Sequence, residues 1–340
     1  MKKLINLLNI TYANFFFKIL NFDASNWSVR KTLIFLFFFV MLYGVTVQDF
    51  SFSQLYISPL ELLPADMQWL HESPIRFFIG HFFFSSLNWK IAYIFVQLIG
   101  FLLLFGSYIL MLKNRKIAHS ELFSVLAMSP FFLIILSWQG KPDLFLIASC
   151  FGILGTNKLY KFLIPLFVLI SVFSHPQITI FYIIFFVILK QIKLDTLLIF
   201  SLTISYALYF GYIQELGDFS NRANFISDNF GRIINTQLNQ PFFSIFCTYG
   251  WLWMPIIFYR KLISKRFVIV TTICFLISIT TLDYTRVFVL LSIPSFVYLS
   301  ENIPISNFIR VISKFLPIGL LLLFQFQKIS NGRIVDSAWS

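Results

Sequence analysis

Long runs of apolar residues recur along almost the whole chain, from Thr32 nearly to the C-terminus. A bilayer core is about 30 Å thick, and an α-helix needs roughly 20 apolar residues to cross it. Because no water reaches the backbone there, each run must close its hydrogen bonds within itself and is helical. Charged residues make up only 12% of the 340 residues, about half the share expected of a soluble domain. The runs predict an all-α, polytopic integral membrane protein.

The apolar runs predict a helical bundle of about nine to eleven spans. The predicted spans are 32–47, 91–112, 122–137, 144–155, 162–174, 178–189, 196–213, 242–259, 267–282, 287–299 and 312–326. The short ones either extend into their polar flanks or re-enter the membrane. Residues 1–31 are expected to form a cytoplasmic amphipathic segment, residues 32–326 a single transmembrane domain and residues 327–340 a C-terminal tail.

The distribution of Lys and Arg predicts the orientation, because cytoplasmic loops carry an excess of both. With a cytoplasmic N-terminus and alternating spans, the inside segments hold 18 of the 26 basic residues. These are Lys2, Lys3, Lys18, Arg30, Lys31, Lys113, Arg115, Lys116, Lys158, Lys161, Lys190, Lys193, Arg260, Lys261, Lys265, Arg266, Arg310 and Lys314. The net charge of +12 is then explained by topology and contact with anionic lipid, so nucleic-acid binding is not needed to account for it. The expected location is the inner (plasma) membrane.

Two loops, both predicted to lie outside, are too long to be simple turns. Residues 48–90 include a short apolar stretch, Ile75–Leu87, which predicts interfacial helices on or dipping into the outer membrane surface. Residues 214–240 form a polar loop rich in Asn and Asp. The three cysteines lie in apolar runs without paired spacing, so neither a disulfide framework nor a zinc site is indicated.

Four polar clusters fall at the outer ends of predicted spans. They are Asp49, the turn 138–143 with Lys141 and Asp143, the turn 174–177 with His175, and the segment 283–286 with Asp283 and Arg286. Ionisable groups at membrane helix ends are costly unless they have partners. Their shared side predicts one cavity that opens outward.

Each cluster also has a simpler interpretation. Lys141 beside Asp143, and Asp283 with Arg286 three residues later, could be neighbouring charges paired at the water interface. His175 before a proline could be a feature of the next helix start. Asp49 could be an ordinary boundary residue.

The long first external loop, the acidic residue after the first span and the turns GKPD and SHPQ resemble the GT-C superfamily of polytopic glycosyltransferases. The segment LDYTRVFVLLSIP is similar to helix starts in bacterial polysaccharide-assembly membrane proteins, including O-antigen polymerases. The chain differs from better-known members in having no paired acidic motif in the first loop. The resemblance implies transfer of a sugar from a polyprenyl-phosphate carrier to a glycan acceptor at the extracytoplasmic face, during assembly of a cell-surface polysaccharide or glycoconjugate.

Such a reaction needs a base for the incoming hydroxyl and positive charge for the departing phosphate. Asp49 is the candidate base, because partial desolvation raises a carboxylate pKa towards the useful range. Lys141, His175 and Arg286 are candidates for charge-assisted hydrogen bonds to the phosphate. His175 is also placed with Asp49 in the catalytic group.

Two further aspartates are candidates for a supporting role in the same site. Asp143 and Asp283 would either orient the cations or bind a divalent ion. No cofactor is otherwise indicated by the residues.

Two other functions remain open. One is a polymerase that joins lipid-linked repeat units, for which Arg222 and Arg232 of the second loop would contact sugar or pyrophosphate. The other is a transporter or flippase of lipid-linked sugars. Transporters place charges near mid-membrane on broken helices in repeated halves, whereas these spans are almost free of charge at mid-depth.

Overall fold

The computed structural model describes residues 72–84, 86–131, 142–156, 160–216, 231, 245–246, 248–281, 284–312, 327–330 and 333–336. The amphipathic N-terminal segment, the first predicted span, most of both long loops and nearly all of the last predicted span lie outside these residues. Within them the chain is mostly helical, which confirms the all-α prediction at that level.

Most of the described helices overlap the predicted apolar runs, but the run 287–299 is divided between two helices and the helix Ile305–Ile312 lies before the run 312–326. The described helices are α1 (Ile75–Phe84), α2 (Trp89–Arg115), α3 (His119–Met128), α4 (Asp143–Gly155), α5 (Ile164–Ser174), α6 (Pro176–Ile188), α7 (Thr196–Leu216), α8 (Trp253–Phe258), α9 (Lys265–Ile279), α10 (Tyr284–Leu291), α11 (Ile293–Asn302) and α12 (Ile305–Ile312). Short 3₁₀ turns precede α5 and lie on either side of α8, at Lys161–Leu163, Gly250–Leu252 and Arg260–Leu262. The helix α1 falls in the stretch expected to carry interfacial helices.

One feature of the C-terminal tail differs from the all-helical expectation. The strands β1 (Gln327–Ser330) and β2 (Arg333–Asp336) form a two-stranded antiparallel hairpin. In its register, Gln327 pairs with Asp336 and Ser330 with Arg333. The β1 strand lies against α10.

Two helices are long and apolar enough to cross a membrane, namely the segments Ile91–Arg115 of α2 and Thr196–Gln214 of α7. The apolar helices α4, α5 and α6 are shorter. At 1.5 Å per residue, a helix of 13 residues such as α4 is about 20 Å long, less than a bilayer core. The short predicted spans are therefore short helices in the structure as well.

The helix α4 lies at the centre of the described bundle, and every one of its residues is buried. It packs against α2 on one side and α5 on another. Glycines allow both approaches: a Cβ at Gly155 would come within 2.7 Å of the Met111 backbone, and one at Gly152 within 2.4 Å of the Phe167 ring. The centre of the bundle therefore has no room for a larger residue at either glycine.

The outer helices expose apolar side chains and bury polar ones. In α2, Ile94 is 58% and Leu102 63% exposed, whereas Gln97 and Ser107 are buried. In α7, Phe200 is 61% exposed while Ser201 and Ser205 are buried. This distribution is the reverse of that expected for a helix whose outer face contacts water.

Candidate functional site

Three polar side chains from distant parts of the chain meet at one end of the bundle. Asp143 is the first residue of α4, His175 lies between α5 and α6, and Arg286 is in the first turn of α10. We call Asp143, His175 and Arg286 the outer cluster, after the side of the membrane predicted for all three. Two of these positions are fixed by prolines, since Pro142 precedes α4 and Pro176 is the first residue of α6.

The contact between Asp143 and Arg286 is bidentate. The Nε of Arg286 donates to Oδ2 of Asp143 at 2.7 Å, and Nη2 donates to Oδ1 at 2.6 Å. The Nε2 of His175 lies 3.2 Å from the same Oδ1 and 3.5 Å from Nη2 of Arg286. One carboxylate therefore orients both a guanidinium and an imidazole, and takes up two of the five N–H donors of the arginine.

Burial sets the electrostatics of the outer cluster. The side chain of Asp143 is 4% exposed, that of Arg286 10% and that of His175 18%. Burial alone raises the pKa of Asp143, but the charge and hydrogen bonds of Arg286, with a smaller contribution from His175, outweigh it. The pKa of Asp143 therefore lies well below its ordinary value, and the carboxylate stays ionised at neutral pH.

The position of Arg286 on its helix is unfavourable by itself. The N-terminus of a helix carries partial positive charge, which repels a cation in the first turn and favours an anion. Asp143, in the first turn of α4, is in the favourable arrangement. The arginine is held at the start of α10 by the carboxylate of another helix, 143 residues away in sequence.

Hydroxyl groups support the segment that carries His175. The Ser171 and Thr179 hydroxyls are 2.8 Å apart, linking the last turn of α5 to the first turn of α6. The Tyr206 hydroxyl of α7 donates to the Pro176 carbonyl. The Thr179 hydroxyl also donates to the His175 carbonyl at 2.9 Å. The imidazole therefore sits on a backbone that three helices hold in place.

Polar contacts also join helices at the opposite end of the bundle. Arg115 Nε lies 2.5 Å from Glu301 Oε1, and Arg115 Nη1 donates to the Gln191 carbonyl at 2.9 Å. We call Arg115, Gln191 and Glu301 the inner cluster. Nearby, Lys161 pairs with Asp195. Each ion pair named above joins side chains that the Lys and Arg distribution assigned to the same side of the membrane.

The structure brings together three of the six site residues predicted from the sequence. Asp143, His175 and Arg286 are in contact, whereas Asp49, Lys141 and Asp283 lie outside the described residues. Their roles stay predictions, as does the choice between an orienting and a metal-binding role for the aspartates. Within the described part of the chain, no group of three or more His, Cys, Asp or Glu side chains could hold a metal ion.

One buried cation was not among the candidates. Arg76 of α1 is fully buried, and its guanidinium carbon lies 5.0 Å from the centre of the Tyr93 ring on α2, a cation–π distance. The helix α1 also packs on α5 and α7 through Phe78, whose ring is 5.7 Å from that of Phe173 and 5.2 Å from that of Tyr212. A lone arginine in an apolar stretch of the first loop was the signal available in the sequence.

No protein-family model matches the chain, and neither the curated proteins nor the solved structures include a match.

Proposed function

We propose that this protein is a polytopic glycosyltransferase of the inner (plasma) membrane, which uses a polyprenyl-phosphate-linked sugar at the extracytoplasmic face to assemble a cell-surface glycan. The observation that carries the proposal is the buried outer cluster, in which Asp143 orients Arg286 and His175 at one end of an apolar helix bundle.

The exposed surfaces of the helices support the membrane location. Contiguous apolar faces on α2 and α7 would be unstable in water, where large exposed apolar patches mark interfaces or membrane contact. Small polar residues such as Ser107 and Ser201 face the bundle instead, where membrane proteins place them for helix packing. Lipid is therefore the solvent proposed for these faces.

The polar contacts support alternating spans with the N-terminus in the cytoplasm. In that arrangement α2 and α4 both run from the outside to the inside, and α5 returns. Gly100 of α2 then lies beside Phe145 near the outer end, and Met111 beside Gly155 near the inner end, as parallel neighbours require. The inner and outer clusters fall on opposite sides of the membrane.

The chemistry follows from the charges of the outer cluster. The acceptor hydroxyl attacks the anomeric carbon of the donor sugar, its proton passes to a base, and the bond from that carbon to the phosphate oxygen breaks. The departing polyprenyl phosphate gains negative charge, which Arg286 and His175 would stabilise through charge-assisted hydrogen bonds. Lys141 would add a third cation, and Asp49 remains the proposed base.

The ionised carboxylate of Asp143 has a defined part in this scheme. It fixes the plane of the guanidinium before the donor binds, so the positive charge needs no reorganisation during the reaction. Asp283 is proposed to assist in the same way or to hold a divalent ion.

The test compares glycans in a deletion strain complemented with matched pairs of substitutions. The double variant Asp143→Asn, Arg286→Gln removes the charges of the outer pair and keeps a polar amide at both positions. The double variant Arg115→Gln, Glu301→Gln does the same to the inner pair. Lipid-linked and surface glycans are measured by mass spectrometry per amount of membrane-inserted protein.

The outer variant should lower glycan output by on the order of 10², and the inner variant should leave it within about twofold. Asp49→Asn should also lower output by on the order of 10², as loss of a general base. Equal output from both double variants would reject the outer cluster as the site. Accumulation of single lipid-linked repeat units in the deletion strain would assign a polymerase, and donor trapped on the cytoplasmic face would assign a flippase.

A further inference from the structure

The helix that carries Arg286 is interrupted by a proline. The segments α10 and α11 follow one another through Ser292, whose backbone N–H donates to the Phe288 carbonyl at 2.9 Å. Two residues later comes Pro294, which has no N–H. The carbonyl four residues before it, on Leu290, therefore lacks the donor that a continuous helix would give it.

A tyrosine from α6 donates to that carbonyl. The hydroxyl of Tyr182 lies 2.7 Å from the Leu290 oxygen, and the side chain is fully buried. A buried carbonyl without a donor is costly, so this bond compensates for the proline at the point where the helix is weakest.

The helix α6 and the residue before it thus contact α10 at two levels along the bundle. His175, directly before α6, lies 3.5 Å from Nη2 of Arg286, and Tyr182 holds Leu290 two turns further along α6. Leu290 is four residues after Arg286, so the two lie on the same face of α10, one turn apart. A bond that holds the Leu290 carbonyl therefore also limits rotation of α10 about its axis and its shift along that axis, and so holds the turn that carries Arg286.

We propose that Tyr182 is a positioning residue for Arg286, acting through the carbonyl that Pro294 leaves without a donor. The inference rests on the proposed function for the meaning of Arg286, but the structural link between Tyr182, Pro294 and α10 can be measured without it. Tyr182 itself contacts no substrate in this proposal.

The experiment uses the full chain in lipid nanodiscs and in the complemented deletion strain. Tyr182→Phe removes the hydroxyl and keeps the ring. Pro294→Ala supplies a backbone N–H that can donate to Leu290 in place of the tyrosine. Tyr209→Phe is the matched control, because Tyr209 of α7 is also buried and its hydroxyl also donates to a backbone carbonyl, that of Glu72 at 3.0 Å, rather than to one in α10.

Two readouts are taken for each variant. Hydrogen exchange of the amides of α10 reports the order of the turn with Arg286. Glycan output per folded, membrane-inserted molecule reports its function. A purely structural role for Tyr182 would lower the amount of folded protein and leave output per molecule unchanged.

We expect Tyr182→Phe to speed exchange in α10 on the order of tenfold and to lower output per molecule by a similar factor. Adding Pro294→Ala to this variant should return both readouts to within about twofold of wild type. Adding it to Tyr209→Phe should restore nothing, since it replaces no bond lost there.

The proposal is overturned if Tyr182→Phe leaves exchange in α10 unchanged, if Pro294→Ala does not restore it, or if output per molecule stays at the wild-type level while the outer double variant lowers it. If no variant of the outer cluster changes output, the proposed function fails. Exchange and its rescue by Pro294→Ala then still decide whether Tyr182 holds the turn that carries Arg286.

Discussion

The two ends of the bundle use similar residues in different ways. At the inner end, Arg115 and Glu301 are 19% and 21% exposed, and Arg115 also binds a backbone carbonyl. At the outer end, Asp143 and Arg286 are more deeply buried and add an imidazole to the same carboxylate. Partly exposed pairs contribute little to stability, whereas buried charges are expensive to bring together. The outer cluster is therefore the stronger candidate for a functional site, because its charges are buried and shared among three side chains.

The proposed difference in function between the outer and inner clusters requires that they face opposite sides of the membrane. Reporters fused near Lys116 or Lys265 should be cytoplasmic, and one inserted within residues 214–240 should be external. The expected result is all-or-none for each fusion. A cytoplasmic signal from the 214–240 insertion would remove the outer cluster from the face where carrier-linked sugars are proposed to react.

The next largest effect concerns the stability of the outer pair. Arg286→Gln leaves the buried Asp143 carboxylate without its main partner, so the free energy of unfolding should fall by about 3–5 kcal/mol. Adding Asp143→Asn should recover most of that loss, because the buried charge is gone. Thermal unfolding in detergent measures the change in stability of the single and of the double variant. A single variant as stable as wild type would show that water reaches this carboxylate.

A smaller effect is expected at the inner pair. Glu301→Gln should lower the free energy of unfolding by no more than about 1 kcal/mol, because both side chains are partly exposed and Arg115 keeps its bond to the Gln191 carbonyl. The same unfolding assay tests this value. A loss as large as that of Arg286→Gln would erase the distinction between the two ends.

The smallest effect concerns the pH dependence of the pair between Lys161 and Asp195. The hydrogen bond from Lys161 and that from the Leu198 N–H lower the pKa of Asp195, which is partly exposed. The stabilisation is therefore present above the unfolded pKa of about 3.9 and is lost as the pH falls below it, through the folded pKa. Asp195→Asn should reduce this loss by less than about 1 kcal/mol. A larger reduction would mean that the pair is shielded from water.

The sequence predicted that most described residues are helical, because the length and polarity of an apolar run are visible within the run itself, although the run 287–299 is divided between α10 and α11. It also placed Asp143, His175 and Arg286 on one side, because the Lys and Arg distribution orients each loop. It offered sequence neighbours, Lys141 and Asp283, as charge partners, since only local spacing is visible there. The bidentate bond between Asp143 and Arg286 depends on which helices are adjacent, and that is set by tertiary packing.

The proposed role of Tyr182 could not be predicted from the sequence, for a related reason. A proline within an apolar run, such as Pro294, indicates that the carbonyl four residues earlier loses its donor. The run itself does not show which neighbouring helix supplies a replacement hydrogen-bond donor. A tyrosine in an apolar segment has the same appearance whether it packs, faces lipid or bonds to another helix.

The contact between Gly155 and the Met111 backbone has a mechanical consequence for the opposite end of α4. It fixes α4 against α2 near the inner end, and 12 residues, about 18 Å of helix, separate that contact from Asp143. Gly100 of α2 also lies against Leu144 and Phe145, so α4 is held close to α2 near both of its ends. Asp143 therefore sits on a rigid mount, and the packing of α4 against α2 sets where its two carboxylate oxygens meet Arg286.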